Sequence, residues 1–96
     1  MRKIGPTEYR ITGKWEIVDG VVKANDDCIR IADLIKNCLV EVARDSSGWD
    51  VLFKDSDSSR FWELVYPESS VHGGGPPELR CLSEDEVKAK YGVDVV

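Results

Sequence analysis

His72 is the single histidine of this 96-residue chain; Ser69 and Ser70 precede it and Gly73-Gly74-Gly75-Pro76-Pro77 follows. Hydroxyls beside an imidazole raise the question of a small hydrolase or transferase. Such chemistry needs a base oriented by a carboxylate, a nucleophile within about 3 Å of it, and donors for the oxyanion. The spacing around His72 supplies none of these, and the favoured reading is a ring nitrogen bonded to the loop backbone. The three glycines suggest a phosphate cradle, but a P-loop continues with Lys and Ser/Thr at a helix N-terminus, and here Pro76-Pro77 follows. The segment reads instead as a shaped loop whose amides could bind a partner's carboxylate or carbonyl. Asp55, Asp57 and Ser59 imitate the start of a calcium loop. Its sixth position would be Arg60 where Gly is needed, and its twelfth Tyr66 where Glu is needed, so no calcium is expected. Cys28 and Cys38 would lie about 15 Å apart along a helix and Cys81 is alone, so no thiolate metal site is expected either. Trp15, Trp49 and Trp62 could stack on bases or sugars, but they sit at apolar strand positions among acidic neighbours and read as core. No cofactor is called for.

The elements that must hold these residues follow from periodicity and turn chemistry. Lys14–Val18 and Val21–Ala24 flank Asp19-Gly20, a dipeptide suited to a tight two-residue hairpin turn. Asp26 and Asp27 offer caps for a helix in which Ile31, Leu34, Ile35, Cys38, Leu39 and Val42 form one apolar stripe. Arg30, Asp33, Asn37 and Glu41 would occupy its opposite face, Arg44 its last turn, and Asp45-Ser46-Ser47-Gly48 its end. Ile29 and Val40 interrupt the polar face, open to cover by a hairpin or to use by a partner. Trp49–Lys54 and Arg60–Tyr66 form a second hairpin. Pairing Phe53 with Trp62, Val51 with Leu64 and Trp49 with Tyr66 gathers six large apolar side chains on one face. Leu52, Phe61 and Val65 then share the other face with Asp50, Lys54 and Glu63, a surface that could be an edge, a partner site or a second layer. Leu79–Leu82 suits a short strand, and Ser83 with Glu86 is a capping box for a final helix through Tyr91 that Gly92 stops. The expected order is ββαβββα, an α+β domain with a mainly antiparallel sheet spanning residues 1–96.

A chain of this length buries roughly 60–70% of its unfolded surface, enough for one core without staples. Three cysteines cannot all pair and read as reduced thiols. Met1-Arg2-Lys3 opens no apolar leader, no stretch approaches the roughly 20 apolar residues of a membrane span, and a cytosolic location is expected. Residues 1–24 carry a net charge of +2 and residues 25–96 a net charge of −7, for −5 overall. An acidic body repels nucleic acid and anionic membrane and attracts basic partners. It points away from a nucleic-acid binder.

Gly48-Trp49, Leu52, Asp55, Asp57, Arg60-Phe61-Trp62-Glu63, Tyr66-Pro67 and His72-Gly73-Gly74-Gly75-Pro76-Pro77 resemble the signature of the immunity protein 27 family. The likeness extends through Trp15, Asp27, Arg30-Ile31 and Leu34 upstream and Leu79, Leu82 and Tyr91 downstream. The departure lies in the second hairpin's turn, where the family pattern resembles Asp-Gly-Arg-Tyr and this chain has Ser58-Ser59-Arg60-Phe61. The resemblance implies a non-enzymatic bacterial immunity protein, made beside a polymorphic or contact-dependent toxin and neutralising that toxin's C-terminal domain by stoichiometric binding. The −7 body fits a basic toxin, commonly a nuclease. If members face dissimilar toxins, motif residues should build scaffold while acidic positions outside the motif, together with the two motif aspartates of the second turn, discriminate. Asp33, Asn37 and Glu41 on the helix and Asp50, Asp55 and Asp57 at the second hairpin are therefore the expected contacts. The alternative contact surface is the His72 loop with Arg60 and Glu63. Two other functions compete: catalysis by His72 with Ser69 or Ser70, and a peptide-binding module using an open sheet edge.

Overall fold

A computed structural model of the chain describes residues 4–67 and 75–92. Ser69, Ser70, His72, Gly73 and Gly74 lie outside the described residues. The elements are β1 (Arg10–Thr12), β2 (Trp15–Val18), β3 (Val21–Ala24), α1 (Asp26–Asn37), β4 (Leu39–Arg44), β5 (Val51–Asp55), β6 (Phe61–Val65), β7 (Glu78–Leu82) and α2 (Glu84–Tyr91). The expected elements stand in the expected order, and β1 and β4 are added to them. Five strands form one antiparallel sheet ordered β1-β7-β6-β5-β4, while β2 and β3 pair only with each other.

The first hairpin turns on Asp19 and Gly20, both at positive φ, the conformation that a two-residue turn joining twisted strands demands. In the second, Phe53 faces Trp62 and Val51 faces Leu64. Trp49 and Tyr66 continue that ladder as an edge-to-face ring pair 6.0 Å apart. The register is the one that puts the large side chains on a single face. Val51, Phe53, Trp62 and Leu64 there meet Ile11 and Leu79 from the sheet and Ile31 and Leu34 from α1, forming the main core.

The opposite face is a second layer. Leu52 and Phe61 pack against Val87 of α2, with Ala43, Leu82 and Tyr91 around them. Alternation along β5 and β6 thus feeds two cores, which is why both strands are buried almost throughout.

Two boundaries differ from the sequence reading. The cap of α1 is Asn25, whose side chain accepts from the Cys28 backbone N–H at 3.0 Å, with Asp26 and Asp27 in the first turn. The helix ends at Asn37 and not near Arg44. Leu39 to Arg44 cross to the sheet edge, where Val40 and Val42 suit a strand and Leu39 still reaches the main core. An irregularity between Glu41 and Ala43 bends this edge, a device that discourages further strand pairing. Arg30, expected on the polar face, is buried; it grips Glu8 through two bonds of 2.8 and 2.6 Å. Such a fork-to-carboxylate pair offsets the cost of removing the guanidinium from water.

Gly13 joins β1 to β2 and donates to the Pro77 carbonyl at 2.9 Å. A Cβ there would lie 2.6 Å from both that oxygen and the Cys28 sulfur. Glycine is needed for this close approach. Helix α2 carries the expected capping box between Ser83 and Glu86 and ends on Gly92 at φ 65°.

Candidate functional site

The six acidic and polar positions expected to meet a partner do not form one patch of free side chains. Asn37 donates to Asp33 at 2.9 Å across one helical turn. Glu41 lies on β4 and pairs with Arg44. Asp50 accepts from Lys90 at 2.8 Å. Asp55 is buried and builds the second turn: its carboxylate accepts from the Asp57 backbone N–H at 3.2 Å and the Ser58 hydroxyl at 2.7 Å. That is a structural duty inside the turn. Asp57 is exposed at the same turn.

Arg60 and Glu63, the described members of the alternative surface, are also engaged internally. The Arg60 guanidinium donates to the carbonyls of Glu8 at 2.7 Å and Gly5 at 2.8 Å, and lies over the rings of Tyr9 and Trp62. It fastens residues 5–9 to the sheet. Glu63 is 1% exposed and accepts from Arg80 at 2.9 Å and Tyr91 at 2.6 Å, with Lys90 completing the cluster. Burial pushes the Glu63 carboxyl up, but the bonds from Lys90, Tyr91 and Arg80 outweigh it and hold the group below the ordinary carboxylate range. The Tyr91 phenol is raised, first by burial and then by its bond to Glu63. This cluster clamps α2 to the sheet, and each of its groups is occupied in doing so.

The tryptophans divide. Trp62 is fully buried, whereas Trp15 and Trp49 are 45% and 60% exposed, against the expectation that all three belong to the core. Trp15 belongs to the feature that sequence reasoning missed. In the β2–β3 register Trp15 faces Ala24 and Ile17 faces Val22, so these four share one face. Glu16 faces Lys23 and Val18 faces Val21 on the other. All eight residues are exposed, Ile17 by 77% and Val22 by 59%. The hairpin therefore carries a wholly apolar face into solvent. At its root a cleft of about 390 Å³ opens, lined among others by Trp15, Pro67, Pro76 and Pro77. The alternation Trp15-x-Ile17 and Val22-x-Ala24 was available as a signal; nothing local told that no layer of the described residues covers it.

Among the described residues no group of three or more His, Cys, Asp and Glu side chains could hold a metal ion. No described helix is long and apolar enough to cross a membrane. Exposed apolar and charged surface is what the described residues offer to a partner. The immunity protein 27 family model matches residues 17–83, from within β2 to the cap of α2, and the chain belongs to that family. No curated protein and no solved structure matches it. Family membership makes it an immunity protein, whose implied partner is a cognate toxin.

Proposed function

We propose that this protein neutralises one cognate toxin domain by forming a stable one-to-one complex, working by occlusion and not by catalysis. The observation that carries the reading is the family match across residues 17–83. The geometry supports it: Arg60 and Glu63 serve the scaffold, and a large apolar hairpin face stands open. The net charge of −5 favours a basic toxin domain, such as a nuclease, by accelerating encounter. The work is done in the cytosol of the producing cell, where incoming or newly made toxin would act.

Co-expression with the toxic C-terminal domain encoded beside this chain's gene is the direct test. Rescue of growth, with co-elution of the two chains in equal amounts, is expected. A folded protein that neither rescues growth nor co-elutes overturns the reading. His72→Ala is expected to affect rescue only through folding; loss of rescue at unchanged thermal stability would favour the hydrolase or transferase alternative.

A further inference from the structure

We infer that the apolar face of the β2–β3 hairpin, Trp15, Ile17, Val22 and Ala24, is the anchor by which this protein seizes its toxin domain. The inference rests on the inhibitory function proposed above and specifies its surface.

Two observations converge on the hairpin. An isolated two-stranded hairpin is marginal in water and normally gains stability by packing an apolar face on a third strand or a helix. Here the apolar face exists, but all eight strand residues remain exposed. The opposite face pairs Glu16 with Lys23 as well as Val18 with Val21, so only the Trp15 face is apolar throughout. Contiguous exposed apolar surface rimmed by polar groups marks protein contacts. Trp15 also borders the cleft beside Pro76 and Pro77, which extends the face toward the sheet.

Charge selects the occupant. Between residues 14 and 27 the hairpin and its root hold Glu16, Asp19, Asp26 and Asp27 against Lys14 and Lys23. A second copy would bring another net charge of −5 and the same acidic start of α1 beside the hairpin, which keeps copies apart. A folded domain with an apolar cleft in a basic surround complements both the face and the net charge of −5. The acidic body then steers approach, and the hairpin supplies the contacts that resist dissociation.

The test measures binding of a catalytically inactivated toxin domain from the neighbouring gene. Paired Ile17→Thr and Val22→Thr substitutions keep β-favouring residues on an exposed hairpin and should leave the unfolding midpoint unchanged. They are expected to weaken binding at least 100-fold, chiefly by faster dissociation. Charge reversal by Asp33→Lys with Glu41→Lys should alter affinity less than tenfold, mainly through slower association. In the unsubstituted protein, amides of residues 15–24 should gain hydrogen-exchange protection on complex formation. A complex that forms with the hairpin pair at unsubstituted affinity, or without protection of those amides, overturns the inference while leaving the inhibitory function standing. A dimer of this chain alone that the same pair abolishes assigns the face to self-association and overturns it as well. No complex with the unsubstituted protein defeats the inhibitory function itself, and the inference with it.

Discussion

Ser59 sits at φ 63°, a left-handed conformation, in the turn between β5 and β6. It is a conformation that glycine adopts at little cost, and here a serine holds it. A side chain there costs roughly 1 kcal/mol through the approach of Cβ to the carbonyl. Asp55 compensates by organising the turn from below through Asp57 and Ser58. Ser59→Gly is therefore expected to stabilise the protein by about 0.5–1 kcal/mol, less the entropy glycine restores to the unfolded chain, as measured by denaturant unfolding. Asp55→Ala should act in the opposite direction and by more, because it removes both bonds that hold the turn. Residue type alone made Asp55 a plausible contact; only the fold reveals that its carboxylate points into its own turn.

The β5–β6 hairpin was legible because a shift of one residue would have scattered its large side chains, leaving only one profitable register. The end of α1 was not legible. Leu39 and Val42 continue a 3.6-residue rhythm by coincidence, and pairing with β5 outweighs that local preference. Strand β1 is three residues long and exists through its pairing with β7, a relation that local patterning does not encode. The mixed face of β5–β6 proved to be a second layer because Glu63, a residue that reads as solvent-facing, is buried beneath α2. Its depressed pKa makes α2 docking sensitive to acid. Stability from this carboxylate is complete above its ordinary value of 4.5 and declines as pH falls through the lower value of the folded state. As pH falls below 4.5 the amides of α2 should lose hydrogen-exchange protection before those of β5 and β6. Glu63→Gln should produce that loosening at neutral pH, at a cost of about 1.5–3 kcal/mol.

Taken whole, the chain spreads its stability unevenly. Strands β5 and β6 lie inside the sheet between two layers, while among the described residues β2 and β3 have neither a third strand nor a covering layer. Native-state exchange should rank accordingly, with β5 and β6 opening only with global unfolding and the first hairpin opening orders of magnitude more often. Equal protection in both hairpins would show that the first is covered in solution. The sequence revealed the class of fold and most of its elements, yet not which apolar stripe remains wet, since burial is decided by what other elements reach. For the same reason charge is visible in the sequence, but the internal partner that engages it, as Lys90 engages Asp50 and Arg44 engages Glu41, is not.

The three indoles occupy three distinct surroundings: Trp62 is dry, its Nε1 without a hydrogen-bond partner among the described residues, Trp49 leans edge-on against Tyr66, and Trp15 stands at the open hairpin. The molecule consequently carries its own optical gauges. Emission from Trp62 should be blue-shifted and shielded from acrylamide until the sheet melts, whereas Trp15 should be readily quenched. With Trp49 and Trp62 replaced by Phe in turn, the light from each site can be assigned, and global collapse and local engagement can be followed separately in one cuvette without an added dye.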